Sequence, residues 1–298
     1  MKVGAVDGED VVLNSGRVMP LLGFGTYQIP DNETGLSAIV NAVENGYRLL
    51  DCASFYHNEF TVGKAISKLQ RSDIFVVSKV WNDAVFAGPA AVRESCMRTI
   101  SELQCEYLDL YLIHWPVPGK HVDAYKALIA LREEGLVRDI GVSNYTIEDF
   151  EDLLAAGVTD VPVVNQIEIN PFLYRKETID YFLSKGVVPM SYRGLRNAAA
   201  FDHSVLLEIA TRQGLTTAQV LGRWLIQKGI CHIPKSLRTE RIVSNGDLFS
   251  FTLSAEDMAT LDGLTSQESL ETFKEHYCVR RVRDTPLSID RGRKITLE

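Results

Sequence analysis

Residues 108–116, LDLYLIHWP, form an apolar run that ends on the imidazole of His114, and the continuity of that run decides the fold. A strand with one wet face alternates apolar and polar residues; one buried on both faces does not, and two-sided burial implies a parallel sheet covered by helices. Two other runs end in the same way. Residues 47–51, YRLLD, lead to Asp51 with Tyr56 close behind, and residues 74–80, IFVVSKV, lead to Lys79. Three segments therefore carry an acid, a phenol, an amine and an imidazole to strand ends.

Working outward, five more runs read as strands, at residues 21–25 (LLGFG), 137–143, 163–166, 187–192 and 230–234, which makes eight. They alternate with helical stretches, among them residues 33–46, 88–104, 121–135 and 146–157, several bounded by Thr, Asn or Gly in capping positions. The repeat of roughly 30 residues is the size of a βα unit. Eight units fit a closed (β/α)₈ TIM barrel, which takes about 250 residues and gathers catalytic groups at the carboxyl ends of its strands. A doubly wound open sheet is the competitor, but polar residues mark the strand ends throughout and no linker divides the chain. We expect one α/β domain over residues 1–298. Residues 11–19 add a β-hairpin around Asn14-Ser15-Gly16, and residues 265–298 a basic tail or lid near the mouth, without clear period from Glu271 onward.

With 298 residues and 46% hydrophobic composition, the chain can bury a large core. A net charge of −8 and a pI near 5.4 argue against a general nucleic-acid binder, which needs a basic surface to displace counterions. A small molecule is the expected partner. No run approaches the roughly 18 apolar residues of a membrane span, and MKVGAVDGED has no apolar leader core, so a soluble, cytoplasmic protein is expected. Cys52, Cys96, Cys105, Cys231 and Cys278 form no C-x-x-C pair and read as reduced thiols, with Cys52 singled out because it adjoins Asp51. No H-E-x-x-H or Cys/His cluster points to a metal.

The four polar residues suit addition to a carbonyl. A phenol with a pKa of about 10 is a poor acid. A lysine cation beside it would lower that value, and Asp51 would neutralise and position the ammonium of Lys79. Tyr56 then donates a proton while His114 hydrogen-bonds the carbonyl oxygen. Each residue alone also fits packing or a solvated surface; their shared mouth favours chemistry. A second signal is IPKSLRTERIVSN (residues 233–245), where Lys235 and Arg241 flank Ser236 at a strand-to-helix junction, a phosphate-binding arrangement. Gly23-Phe24-Gly25-Thr26 lacks the third glycine of a dinucleotide fingerprint, and Ile29-Pro30 follows where a helix should open.

LLDCASFYHNE, SKVW, LIHWP, IGVSNY, VNQIEINP and IPKSLRTERIVSN together resemble the aldo-keto reductases, over residues 12–264. The resemblance implies a (β/α)₈ barrel that binds NADPH without a Rossmann domain, with Asp51, Tyr56, Lys79 and His114 as the catalytic tetrad. It further implies that Lys235, Ser236 and Arg241 hold the 2′-phosphate, that Asn245 contacts the adenine, and that Ser143, Asn144 and Gln166 bind the nicotinamide carboxamide. Tyr192 would stack on the nicotinamide ring, with Gly25, Thr26, Asp51, Arg193 and Leu195 also along the cofactor. Tyr27, Phe55, Trp81 and Trp115 would wall the substrate pocket around Tyr56 and His114. Two departures stand out: Tyr192-Arg193-Gly194-Leu195 replaces the family's Tyr-Ser-Pro-Leu, placing a cation from Arg193 or Arg196 over the pyrophosphate, and Ser244 replaces an acidic residue. The short segment Trp115-Pro116-Val117-Pro118-Gly119 resembles the microbial branch that includes diketogluconate reductases and protozoan prostaglandin F synthases. The reading is a monomeric NADPH-dependent reductase of a small carbonyl substrate. A non-catalytic NADPH-binding redox sensor is the rival, and a serine hydrolase using Gly141-Val142-Ser143 lacks its final glycine.

Overall fold

A computed structural model of the chain describes residues 3–297, so Met1, Lys2 and Glu298 of the expected domain lie outside it. Three short strands come first, β1 (Val6–Asp7), β2 (Asp10–Val12) and β3 (Val18–Pro20). Eight parallel strands follow: β4 (Phe24–Gly25), β5 (Leu49–Asp51), β6 (Phe75–Val80), β7 (Leu108–Ile113), β8 (Val137–Ser143), β9 (Val164–Glu168), β10 (Val188–Tyr192) and β11 (Cys231–His232). The helices between and after them are α1 (Glu33–Glu44), α2 (Glu59–Ile66), α3 (Asn82–Ala87), α4 (Pro89–Glu102), α5 (His121–Glu133), α6 (Ile147–Ala155), α7 (Lys176–Ser184), α8 (Ser204–Gln213), α9 (Thr217–Gln227), α10 (Thr239–Gly246), α11 (Ala255–Asp262) and α12 (Gln267–Arg280). Each parallel strand pairs with its sequence neighbour, and the seam closes where His232 N donates to Leu21 O (2.7 Å), Gly23 N to His232 O (2.8 Å) and Gly25 N to Pro234 O (3.0 Å). The result is the (β/α)₈ barrel. The expected strands at 21–25 and 230–234 shrink to two residues each, because the seam carries only these few bonds.

Strand alternation sorts the core into two layers. Leu49, Phe75, Val77, Leu110, Leu112, Val164, Val188 and Met190 point into the barrel, while Leu50, Val76, Val80, Tyr111, Ile113 and Val142 pack under the helices. The N-terminal hairpin is present, with Val11 opposite Met19, and β1 adds a third strand that the sequence did not announce. Val11, Leu13, Met19 and Leu21 join the inner layer and stopper one end of the barrel. No helix among the described residues is long and apolar enough to cross a membrane.

The C-terminal segment is more ordered than its sequence reads. Instead of an aperiodic tail, its first part is α12, which buries Leu270, Phe273 and Tyr277, a three- and four-residue spacing that the surrounding charges mask. Beyond it, Arg281 and Arg293 converge with the Tyr277 hydroxyl on the fully buried carboxylate of Asp149, at 3.4 Å and 2.6 Å for the two arginines. Asp149 also closes the capping box of α6 with Thr146. One carboxylate therefore caps a helix and ties the segment to the barrel. His121 and Asp152 lie close to it, but the same arginines already balance that group.

One buried carboxyl sits behind the sheet. Ser78, on the outer face of β6, donates to Glu59 Oε1 at 2.5 Å, and Thr99 donates to Oε2 at 2.9 Å. Burial pushes the Glu59 carboxyl up to about 7, against the pull of the two hydroxyls. The folded chain then holds this proton more tightly than the unfolded chain, so the contribution is complete below about pH 4.5 and is lost as pH rises through about 7. Glu59→Gln cannot undergo that loss. Relative to the natural chain, its unfolding free energy should gain about 2 to 3 kcal/mol between pH 5 and pH 8 in urea titrations, and an equal difference at both pH values would contradict the assignment.

Candidate active site

The inward rows of three strands end on polar groups. Leu49 is followed two residues on by Asp51, Val77 by Lys79, and Leu112 by His114, so the period that builds the apolar barrel floor places these three at its mouth. Tyr56 ends a 3₁₀ turn, Ser54–Tyr56, just after β5. That turn is pinned to the neighbouring strand, since Ser54 Oγ donates to Lys79 O at 3.0 Å.

Lys79 is fully buried and its ammonium is saturated. It lies 2.8 Å from each Asp51 carboxylate oxygen, 2.8 Å from Cys52 O and 3.3 Å from Tyr56 Oη. Because the phenol oxygen accepts from Lys79, its own hydrogen is free to turn into the cavity. Burial, and after it the Asp51 carboxylate, hold the Tyr56 phenol well above its ordinary range. This corrects the expectation that Lys79 lowers it: the lysine is neutralised by its carboxylate, and desolvation decides. The imidazole of His114 is pushed well below its usual value by burial, then by the cations of Lys79 and Arg280, and is neutral at pH 7. It stands edge-on to Tyr56, ring centroids 5.9 Å apart, and to Trp81 at 4.8 Å. The thiol of Cys52 is fully buried and pushed well up, chiefly by burial, so its contribution here is its carbonyl.

A cavity of about 960 Å³ opens over this group. It takes in Asp51, Tyr56 and His114, the expected walls Tyr27, Phe55, Trp81 and Trp115, and the expected cofactor residues Gly25, Ser143, Asn144, Gln166, Tyr192, Arg193, Leu195, Lys235, Ser236, Arg241 and Asn245. Two expected residues lie beneath it. Lys79 acts through its neighbours, and Thr26, fully buried, donates from both N and Oγ1 to Asp51 O (3.0 and 2.9 Å), which steadies the strand end. Phe55 stacks on Trp81 at 3.9 Å, and Tyr27 leans on Tyr56 at 5.1 Å.

The polar residues form one chain of bonds. Tyr192 Oη donates to Asn144 Oδ1 (2.6 Å), Asn144 Nδ2 to Ser143 Oγ (3.1 Å), Ser143 Oγ to Gln166 O (2.7 Å) and Gln166 Nε2 to Asp51 Oδ1 (2.6 Å). Asn144 adopts a left-handed φ of 60° that its short amide tolerates, and its Nδ2 also donates to His114 O at 2.9 Å. The departure at 193–194 has a local cause. A Cβ on Gly194 would come within 2.7 Å of Leu225 and 2.8 Å of the His232 ring, so those side chains must move before another residue fits. Arg193 pairs with Glu168 at 3.0 Å and so already has a counter-ion, whereas the Arg196 guanidinium has a ring contact, 4.9 Å from the centre of Phe172.

Sequence reasoning missed several residues of the cavity. Gln28, Glu168, Thr216, Thr217, His276 and Arg280 line it. Glu168 ends β9 and belonged to the same strand-end pattern as Gln166; Arg280 was counted among tail charges and needed α12 to be placed. At the far end, Lys235 and Arg241 are exposed and have no ion-pair partner among the described residues, and Ser236 lies beside them. Two uncompensated cations with a hydroxyl between them fit a phosphate.

Comparison with known proteins gives this geometry a family. The sequence profile of the aldo/keto reductase family matches residues 21–266. The chain is 38% identical to the glyoxal reductase of Bacillus subtilis over 262 residues, covering 87% of this chain and 94% of that protein, and 36% identical to the methylglyoxal reductase DkgA of Escherichia coli over 267 residues, covering 87% and 94%. Among solved structures, an aldo-keto reductase of Bombyx mori in complex with NADP superposes with a TM-score of 0.79 at 30% identity, covering 88% of this chain and 94% of that one. The protein is thus an oxidoreductase of the aldo-keto reductase family.

Proposed function

We propose that the protein reduces an aldehyde or ketone to an alcohol with NADPH, and that Tyr56 supplies the proton. The observation that carries this reading is the phenol of Tyr56, which lines the cavity and lies 3.3 Å from a buried ammonium. NADPH, when bound, supplies the hydride. The chain's own part is to orient, polarise and protonate. Neutral His114 offers a ring N–H to the carbonyl oxygen, and Tyr56, kept protonated by burial, gives that oxygen its proton as negative charge develops. The phenolate left behind is met by Lys79, whose hydrogen bond strengthens once its acceptor is charged. A phenol held above its ordinary range is protonated at neutral pH but is a weak acid, so its proton moves only as negative charge develops on the carbonyl oxygen and as the Lys79 ammonium meets the phenolate. Phe55, Trp81 and Trp115 exclude water from the reacting carbon.

The cofactor side follows the uncompensated cations. Lys235, Ser236 and Arg241 would hold the 2′-phosphate, and Asn245, buried at the end of α10, would meet the adenine. Tyr192, its plane fixed by Asn144, would back the nicotinamide ring, and Ser143, Asn144 and Gln166 would orient its carboxamide. The family, and the NADP complex of the Bombyx mori structure, support a nicotinamide cofactor here. The redox-sensor reading loses ground because Tyr56 and Lys79 are both present and in contact.

Tyr56→Phe should lower carbonyl reduction by about 100-fold or more while NADPH still binds, measured by cofactor absorbance against a panel of small aldehydes, oxo acids and sugars and by a separate binding titration. Near-normal turnover in that variant would sink the mechanism. Lys235→Ala combined with Arg241→Ala should cut the preference for NADPH over NADH at least tenfold, since each charge-assisted bond contributes about 1.5 to 3 kcal/mol. The ratio of the two dissociation constants decides it, and an unchanged ratio would move the phosphate elsewhere.

A further inference from the structure

We infer that Arg280 is a subsite for a carboxylate carried by the substrate, so that the protein prefers aldehydes and ketones bearing an acid group to neutral carbonyls of the same size. This rests on the carbonyl-reductase reading and adds a substrate class to it.

Arg280 is the last residue of α12 and lines the cavity with Trp81 and His114. Its backbone is held in place: Asn82 Nδ2, from a fully buried side chain next to Trp81, donates to Arg280 O and Arg283 O, both at 3.0 Å. This ties the helix end to the wall expected to face substrate, not to the phosphate end at Lys235. The Arg280 Nε donates to His276 Nε2 at 3.2 Å, which aims the guanidinium. Its two terminal nitrogens have no protein acceptor among the described residues.

Several neighbouring charges at this end of the cavity are paired. Asp51 is matched by Lys79 and Glu168 by Arg193, while Asp284 receives Trp81 Nε1 at 2.8 Å and lies 3.6 Å from Arg283 Nε. Arg283 lies over the Phe55 ring at 4.8 Å. Arg280 is left as a cation without a counter-ion, close enough to act electrostatically on His114. A guanidinium with its terminal edge open is a planar fork that a carboxylate meets with two parallel bonds. Such a group would anchor the substrate on one side while its carbonyl oxygen reaches Tyr56 and His114 on the other.

The test compares 4-formylbenzoate with 4-methylbenzaldehyde, which have similar size and differ in charge, in the natural protein, Arg280→Met and Arg280→Lys. The natural protein should favour the formylbenzoate in kcat/KM, and Arg280→Met should reduce that ratio about tenfold or more, with Arg280→Lys in between. Calorimetric titration with benzoate, which cannot be reduced, gives a second readout: its Kd should weaken by a similar factor in Arg280→Met. If the natural protein reduced neither aldehyde, the reductase reading would fail, and the benzoate Kd alone would decide the subsite. A substrate ratio and a benzoate Kd that do not change in Arg280→Met would overturn the inference. So would a loss of NADPH affinity in their place, since the arginine would then read a cofactor phosphate.

Discussion

The ion pair between Lys79 and Asp51 is the constraint on which the rest of the site depends. Bringing an ammonium and a carboxylate out of water costs several kcal/mol per ion, and the cost is offset only if the geometry is close and every remaining valence is met. Here Lys79 reaches both carboxylate oxygens, a backbone carbonyl and the Tyr56 phenol, while Asp51 also accepts from Gln166. Removing either ion would leave the other buried and uncompensated. The pair therefore fixes the strand ends of β5 and β6 relative to each other, and Tyr56 inherits its position from both. Through Gln166, Ser143 and Asn144 the same bonds run on to Tyr192, so the proton donor and the expected cofactor platform belong to one rigid network.

The barrel frame makes this affordable. Its inner layer is apolar up to the level of Leu49, Val77 and Leu112, and only the next inward residue on each strand is polar. Field lines from Lys79 and Asp51 are thus confined to the cavity mouth, where low dielectric strengthens every interaction. The chain carries a net charge of −8, yet the cavity is positive at both ends, with Lys235 and Arg241 at one and Arg280 at the other. That local inversion is consistent with ligands that are anionic and small.

Much of this was legible in the sequence because strand period is a local property. The runs ending in Asp51, Lys79 and His114 announce both a two-sided parallel sheet and its polar mouth, and the helix starts carry their own caps. Three kinds of feature were not legible, each for a physical reason. The seam between Leu21 and His232 depends on pairing between segments far apart in the chain, which no local pattern encodes, and β1, paired with β2 at only Val6 and Asp7, is too short to show a period. The spacing of Leu270, Phe273 and Tyr277 was present but diluted by charged neighbours, and the bond from Trp81 to Asp284 spans 203 residues. Charge states were the hardest to read. A lysine beside a phenol lowers its pKa in the abstract, but burial and the carboxylate on the other side of that lysine reverse the sign for Tyr56.

That sign is the central claim, since it makes Tyr56 a weak acid that parts with its proton only as charge develops on the carbonyl oxygen. The most direct measurement is an NMR titration of the protein carrying tyrosine labelled with ¹³C at Cζ, with the Tyr56 signal assigned by its absence in Tyr56→Phe. The account predicts a Tyr56 signal that stays at the phenol position past the pH at which exposed tyrosines ionise. Ionisation of Tyr56 near neutral pH would contradict it and restore Lys79 as the group that sets the phenol's acidity.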